Sequence, residues 1–261
     1  MILFFQGRIT EFLLILLFFA FQVFFILQAT KKKEIGYIRH ISGLDAIGEI
    51  VGRATEMGKP IHLSPGVYAG FGPGYAGPTV AALSMFSHVS SLAASKKVPV
   101  LASVNDAASY AAIDEAVRVA CESVHSPECY KSENIQYYAY GEALLTGVFG
   151  TMTRMKPAGN FLIGPFGWDA VVQGELGAYA NAMQLGGTDA FANLSMLAAT
   201  CDFLLIGEEM FAAGAYVSKD PKGAGALRGQ DLSKVVALLF IIVGAVLWLA
   251  GNKLVFNILG V

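Results

Sequence analysis

Two long apolar runs flank a more polar central region of the chain. Residues 12–27 are apolar apart from Gln22, and residues 235–250 form a second apolar run near the other end. A helix of about 20 apolar residues spans the roughly 30 Å hydrocarbon core of a bilayer. The pattern predicts one transmembrane helix in 1–30 and another in 235–261, with a folded domain between them.

In the region between these runs, short apolar segments alternate with amphipathic ones. Strands are predicted at 60–63, 98–104, 135–140, 160–163 and 203–206, with a further extended stretch near 36–41. Helices are predicted at 42–57 with Ser42 as N-cap, 78–95, 106–123, 142–156, 169–184, 189–200 and 211–217. This alternation is typical of a parallel sheet covered on both faces. The predicted fold is α/β, a Rossmann-like three-layer sandwich over 31–217, followed by a flexible basic linker over 218–234.

The charges beside the first apolar run predict its orientation. Arg8 and Glu11 precede the run, whereas the lysines at 31–33 and Arg39 follow it. The positive-inside rule then puts the α/β domain in the cytoplasm and both termini outside, with the lysines beside lipid headgroups. The run is longer than a signal-peptide core and lacks a good cleavage site, which favours an uncleaved anchor.

Composition agrees with two spans attached to a globular domain. The chain is 55% hydrophobic and only 15% charged, with a mean hydropathy of +0.55. Its formal net charge is −2, and without an excess of positive charge general nucleic-acid binding is not expected. The lipid bilayer is the expected partner.

The three cysteines, Cys121, Cys129 and Cys201, form an odd and sparse set. Such a set argues for reduced thiols in a cytoplasm rather than for a disulfide framework. Cys121, His125 and Cys129 have the spacing C-x3-H-x3-C, which could supply three metal ligands. A structural zinc site usually has paired cysteines and a fourth ligand, so a helix end with a polar loop explains the pattern better, and no metal is expected.

A glycine-rich loop over 66–77 is the leading candidate site. In an open parallel sheet, ligands bind beyond the carboxyl ends of the strands, where helix N-termini present unpaired N–H groups. The loop contains a formal G-x-G-x-x-G at Gly72, Gly74 and Gly77. Pro73 removes one amide donor, the first glycine lies well beyond the strand end, and Asp106 is too far along for the usual acidic partner. Close packing against another backbone or subunit therefore competes with nucleotide binding.

Further polar residues are predicted at the same edge of the sheet. The candidate ligand-binding residues are Ser64, Gly66, Gly70, Gly72, Gly74, Gly77, Asp106, Glu208 and Glu209. Asp106, Glu142 and Asp169 begin helices, where the helix dipole favours an acid without any catalytic role. Ser64 lacks the surroundings of a nucleophile elbow, and His62 is expected to be a core residue. No catalytic residue is identified.

Pairs of glycines recur within the predicted helices. They are Gly48 and Gly52, Gly147 and Gly150, and Gly174 and Gly177. Each interior glycine costs on the order of 1 kcal/mol relative to alanine, so the pairs indicate close packing, either between subunits or within one subunit.

The sequence also resembles a known family. The segment IGEIVGRATEMGKPIHLSPG at 47–66, the glycine-rich loop after it, and KKVPVLASV at 96–104 are similar to an uncharacterised family of prokaryotic membrane-anchored α/β domains. The resemblance covers most of 35–217. It implies a prokaryotic membrane protein of unknown function and supplies no catalytic residues.

Two functions remain open at this point. The first is a non-enzymatic membrane-anchored scaffold that forms a homo-oligomer or docks a membrane-associated partner, without a cofactor. The second is an enzyme or sensor in which the 66–77 loop binds a nucleotide or another phosphate-bearing ligand, oriented by Asp106, Glu208 or Glu209. Nucleotide-dependent stabilisation would favour the second.

Overall fold

The computed structural model of the chain describes residues 9–32, 41–218 and 221–249. Nearly all of the extended stretch predicted near 36–41 lies outside the described residues. The chain divides into two compact units, Met1–Ile38 with Lys219–Val261, and Arg39–Ser218.

Nine helices and six strands are assigned among the described residues. The helices are α1 (Ile9–Lys32), α2 (Ser42–Met57), α3 (Ala76–Ser95), α4 (Ala107–Ser123), α5 (Glu142–Met155), α6 (Asp169–Tyr179), α7 (Phe191–Thr200), α8 (Glu209–Ser218) and α9 (Pro221–Leu249). The strands are β1 (Ile61–Ser64), β2 (Val100–Val104), β3 (Ile135–Tyr137), β4 (Gly159–Ile163), β5 (Met183–Thr188) and β6 (Phe203–Ile206).

The strands form one parallel sheet in the order β3-β2-β1-β4-β5-β6. This is a doubly wound order: β2 and β3 are added on one side of β1, and β4, β5 and β6 are added on the other. The connections after β1 and β4 therefore run in opposite directions, and a crevice opens beyond those two strands. Residues of α2, α3, α4 and α8 fill the core on one face, including Ile50 and Phe86. Smaller clusters under α5, α6 and α7 fill the other, including Val148 and Leu197. The predicted α/β class is confirmed.

The predicted helix 169–184 is wrong in its second half. The helix α6 ends at Tyr179, and Met183–Thr188 is the strand β5. Gly186 and Gly187 suggested a break, but they lie inside the strand because other elements pack closely there. A Cβ at Gly186 would lie 2.9 Å from the sulfur of Cys201.

Smaller differences concern the ends of elements. Ser42 is the first residue of α2, and Ile41 is its N-cap. The helix ends at Met57, as predicted, and Gly58 follows it in a left-handed conformation. The strand expected at 135–140 ends at Tyr137. Element ends depend on individual hydrogen bonds, which hydropathy does not report.

The cysteines differ from expectation. Cys121 and Cys129 are joined by a disulfide across the end of α4, with their Cα atoms 5.8 Å apart, so the prediction of reduced thiols is wrong for this pair. Neither of the two is available as a metal ligand. Cys201 remains a thiol, and burial raises its pKa to about 12, which makes it unreactive.

Two described helices are long and apolar enough to cross a membrane: residues Phe12–Lys31 of α1, and α9, each with a mean hydropathy of 2.5. The flexible linker predicted for 218–234 is largely helical instead, because α9 begins at Pro221.

Within their own unit, α1 and α9 pack side by side as an antiparallel pair of helices, although they are far apart in sequence. This pair is called the hairpin. Gly225 lies against the backbone of Phe25 and Ile26, and Gly229 lies against Gln22, so that the contacts run in opposite directions along the two helices. A Cβ at Gly225 would lie 2.8 Å from the carbonyl oxygen of Phe25. Small residues let two helix backbones approach closely, as in membrane helix pairs.

The register of this hairpin staggers the two apolar runs. Since Gly229 lies against Gln22, the centres of 12–27 and 235–250 are offset by about 11 residues, or about 16 Å at 1.5 Å per residue. The polar start of α9 therefore lies beside the apolar middle of α1. Asp231 and Lys234 belong to this polar part, form an ion pair at 3.6 Å, and expose 74% and 51% of their side chains.

The helical glycine pairs of the α/β unit occupy different environments. Gly177 packs on the side chains of Asn160 and Gln184, and Gly174 packs on Thr200. Gly147 packs on the Tyr138 ring and Gly150 beneath the Arg154 side chain. These pairs serve close packing within the unit. By contrast, a Cβ at Gly48 or Gly52 would contact no atom of another element within 4 Å in the described part of the chain.

These environments predict opposite effects of one substitution. Gly177→Ala forces a methyl group onto the buried amides of Asn160 and Gln184 and lowers the free energy of unfolding by about 2 kcal/mol. Gly48→Ala is the matched control, and it raises stability by up to about 1 kcal/mol because alanine favours helix. Urea unfolding of the full chain measures both, and equal effects would contradict the packing described.

Candidate functional site

A cleft of about 520 Å³ opens at the carboxyl ends of β1 and β2. The loop after β1, the end of β2 and the segment before α5 form its walls. Its lining residues are Val67, Tyr68, Ala69, Gly70, Phe71, Gly72, Tyr75, Asn105, Asp106 and Tyr140. The cleft is at the carboxyl edge of the sheet, where ligands bind in doubly wound folds, and it lies on the β2 side of β1 instead of in the crevice between β1 and β4.

Four of the ten lining residues are aromatic. The rings of Tyr68 and Tyr75 are stacked, with centroids 5.4 Å apart and an interplanar angle of 9°. Tyr140 lies 6.3 Å from Tyr68 at an angle of 60°. Removal of water, followed by the neighbouring Tyr68, raises the pKa of Tyr140, so its phenol is neutral at physiological pH.

The loop from 66 to 70 directs its amides inward. Five consecutive N–H groups have partners within the protein, which leaves none of them for a bound anion. Gly66 donates to Ser64 Oγ, Val67 to Asp169 Oδ2, Tyr68 to the carbonyl of Pro165, Ala69 to the carbonyl of Gly66, and Gly70 to Thr79 Oγ1. At the start of α3, the amides of Tyr75 and Ala76 are bonded to the carbonyl of Gly72.

Two polar side chains, Asn105 and Asp106, lie at the end of β2. Asn105 donates through Nδ2 to the carbonyl of Val67 at 2.6 Å, whereas its Oδ1 is buried and has no hydrogen-bond partner among the described residues. Asp106 is the N-cap of α4, and its Oδ2 accepts from the amide of Ser109 at 2.8 Å. No Lys, Arg or His is among the described residues that line the cleft, so its electrostatic character is acidic.

Behind the cleft, Asp169 connects the loops after β1 and β4. Its carboxylate accepts from the amides of Val67 at 3.0 Å and Gly167 at 2.7 Å, and from the side chain of Gln173 at 2.9 Å. The residue is fully buried. Burial raises its pKa, and the hydrogen bonds from Gly167 and Val67 oppose that rise. All three partners are donors, so the ionised carboxylate fits the arrangement.

A chain of buried polar side chains crosses the sheet beneath α6. His62 Nε2 is 3.0 Å from Ser103 Oγ, and His62 Nδ1 is 2.9 Å from Asn160 Oδ1. Asn160 in turn donates to Gln184 Oε1 at 2.7 Å. His62, Asn160 and Gln184 are register partners on β1, β4 and β5, so they share one face of the sheet.

The hydrogen bonds of Gln184 determine which ring nitrogen of His62 carries the proton. Gln184 Nε2 lies 2.9 Å from the carbonyl of Gly174 and 2.8 Å from that of Thr200, and only an amide NH2 can donate to both. Gln184 Oε1 is therefore the acceptor for Asn160, whose Oδ1 accepts from His62. His62 carries its proton on Nδ1, and burial lowers its pKa to about 4.

The structure brings together only part of the predicted site. Gly70, Gly72 and Asp106 line the cleft. Ser64 is buried, and Gly66 packs against the carbonyl of Pro165. The other predicted residues, Gly74, Gly77, Glu208 and Glu209, do not line the cleft.

Glu208, Glu209 and His62 all lie outside the lining of the cleft. Glu208 and Glu209 follow β6, three strands away from β1 in the sheet, and Glu209 accepts from the amide of Ile206 at 3.1 Å. The expectation that His62 is a core residue is confirmed, since it is fully buried.

The tyrosines of the cleft were not predicted. Tyr68 and Tyr75 lie within the glycine-rich loop, and Tyr140 precedes α5, but the glycine spacing that indicated the loop says nothing about aromatic rings. Aromatic residues clustered at loops that follow strands are the signal that could have identified them. Asp169 was explained by its helix-start position alone, which does not reveal its distant donors.

Comparisons with known proteins give a family and no activity. No curated protein and no solved structure matches the chain significantly. A family model described as "Domain of unknown function (DUF6754)" matches residues 1–259. Since this match covers nearly the whole chain, the protein belongs to the DUF6754 family, an uncharacterised family of unknown function.

Proposed function

We propose that the protein is a non-enzymatic, membrane-anchored scaffold whose copies associate in the plane of the membrane. The observation that carries this proposal is the staggered hairpin of α1 and α9. Its two helices provide the anchor, and its outward-facing charges provide the reason for association.

Because the two apolar runs are staggered, a single hairpin cannot place both of them in the hydrocarbon of a bilayer at once. Each of the two possible positions has a cost. If residues 12–27 occupy the hydrocarbon, Asp231 and Lys234 lie near its centre with exposed side chains. If 235–250 occupies it instead, the apolar side chains at the carboxyl end of the α1 run, such as Phe24 and Leu27, are in water. Charged residues in membranes face other protein or water-filled cavities. A second copy of the hairpin can cover these charges and pair them across the contact.

The outer surface of α7 supports association of the α/β unit as well. No charged residue occurs in this helix, and Phe191 is 87% exposed. The outer face of α4, by contrast, carries an ion-pair network of Arg118 with Glu115 and Glu122. Exposed apolar surface is typical of contact sites, and two copies of an uncharged face meet without like-charge repulsion.

For orientation, we propose both termini outside and the α/β domain in the cytoplasm. The antiparallel hairpin supports a common side for the termini, and the lysines at 31–33 support a cytoplasmic domain. The Cys121–Cys129 disulfide argues for the opposite side, because disulfides are rare in the cytosol. An impermeant thiol reagent on intact cells tests this with a cysteine at exposed Glu115; labelling contradicts a cytoplasmic domain.

Native mass spectrometry of the full chain in mild maltoside detergent tests the association. We expect a homo-oligomer, and we expect Asp231→Lys to weaken it about 10-fold, because each copy then presents only positive charge along this part of α9. The double variant Asp231→Lys with Lys234→Asp restores opposite charges and should restore assembly.

The control for this experiment is Glu49→Lys on α2, which changes net charge by the same amount at an exposed position and should leave the assembly intact. A monomeric wild-type protein would refute the scaffold. Unchanged assembly of Asp231→Lys would refute the role of the hairpin charges.

A further inference from the structure

The cleft beyond β1 and β2 is lined by aromatic and acidic groups that have no part in the proposed scaffold function. Its lining includes Tyr68, Tyr75 and Tyr140 together with the carboxylate of Asp106. Asn105 Oδ1, next in the chain, is buried and has no hydrogen-bond partner among the described residues. Stacking covers one face of Tyr68 and one face of Tyr75. The opposite faces of these two rings and the faces of the tilted Tyr140 ring are electron-rich, and a carboxylate adds negative charge.

The first half of the glycine-rich loop and the carboxylate of Asp106 make this cleft unfavourable for an anionic ligand. The amides of 66–70 are all bonded within the protein, so the glycine-rich loop has no donor there for a phosphate. No described lining residue carries positive charge. The carboxylate of Asp106 would repel a phosphate instead of binding it.

A cation has the opposite interactions with each of these groups. Ammonium groups bind over tyrosine faces within about 6 Å of the ring centroid, and quaternary ammonium ligands are recognised by aromatic cages. Asp106 Oδ2 is occupied by the amide of Ser109, whereas Oδ1 accepts no hydrogen bond from the described residues. The carboxylate therefore retains an open oxygen for a cation.

We infer that this cleft binds an organic ammonium group, held between the tyrosine rings and the carboxylate of Asp106. A cleft of about 520 Å³ accommodates a small headgroup. The group could belong to a free alkylammonium compound or to the headgroup of a choline lipid, and both present the same chemistry.

Isothermal titration of the full chain in maltoside, a detergent without ammonium groups, tests the inference with choline and with its neutral isostere 3,3-dimethyl-1-butanol. We expect saturable choline binding and at least about 10-fold weaker binding of the neutral compound, since only the charge differs. Equal affinities, or no choline binding, would overturn the inference, as would tighter binding of a nucleotide.

Variants separate the charge from the rings. Asp106→Asn keeps an N-cap side chain for α4 and should weaken choline binding about 10-fold; Tyr140→Leu should weaken it about 3- to 30-fold, and Tyr140→Phe much less. Matched controls are Glu175→Gln and Tyr179→Leu, both exposed on α6 away from the cleft. Unchanged binding by Asp106→Asn, in a protein that unfolds as wild type does, would overturn the assignment.

Nanodiscs identify the source of the group. If choline binds equally well in phosphatidylglycerol and phosphatidylcholine discs, the ligand is a free ammonium compound. If phosphatidylcholine discs weaken the binding of free choline, the lipid headgroup competes for the cleft. These measurements use binding alone, so failure of the scaffold proposal would leave them interpretable.

Discussion

Replacing Asp169 with alanine should lower the free energy of unfolding by about 3–5 kcal/mol. The substitution leaves the amides of Val67 and Gly167 and the side chain of Gln173 without their acceptor in a fully buried site. Each buried donor left unpaired costs about 1–3 kcal/mol. Because these donors hold the loops after β1 and β4, the tyrosine cleft should also lose its shape. Urea unfolding of the full chain, followed through Trp168 fluorescence, measures the effect.

Two further variants make this prediction specific. Asp169→Asn retains one acceptor oxygen and should have an intermediate effect. Glu175→Ala, at an exposed position on the same helix α6, should change stability by less than about 0.5 kcal/mol. A loss below about 1 kcal/mol for Asp169→Ala would mean that water replaces the carboxylate, and it would contradict the proposed connection between the two loops.

Acidification from pH 6.5 to pH 4 should destabilise the α/β unit through His62. Burial lowers the pKa of this residue from 6.5 to about 4, so the unfolded chain binds a proton that the folded chain does not. The contribution of His62 to the free energy of unfolding is fully present above pH 6.5 and is lost as the pH falls towards 4. At about 1.4 kcal/mol for each pKa unit, the loss reaches about 3 kcal/mol.

Comparison with a variant separates the effect of His62 from that of the carboxyl groups that also titrate near pH 4. His62→Gln cannot gain a proton at this position, so its free energy of unfolding should fall less between pH 6.5 and pH 4 than that of the wild type. His125→Gln, at an exposed position, serves as the control and should retain the wild-type profile. Identical pH profiles for His62→Gln and wild type would show that the polar chain tolerates a charged imidazole.

Much of the fold was determined by hydropathy along the sequence. The span of helix α2 was predicted correctly, although its N-cap is Ile41 and not Ser42, and the alternation of strands and helices predicted the parallel sheet. These features follow from local periodicity, since a buried strand or an amphipathic helix must place apolar residues at fixed intervals. The strand β5 was not predicted, because it lacks this local pattern. Its two glycines break the pattern, and only packing against Leu197 and Leu205 makes them suitable there.

The remaining features were decided by contacts between residues far apart in the chain. Asp169 accepts from an amide 102 positions away, and the His62–Asn160 hydrogen bond joins residues 98 apart. The tyrosine cleft and the register of α1 against α9 likewise depend on how elements meet. The sequence alone therefore determined the class of fold and the two apolar helices, because both depend on local pattern. The cleft, the polar chain and the stagger required the tertiary structure, because each is a distance between side chains that no spacing along the chain specifies.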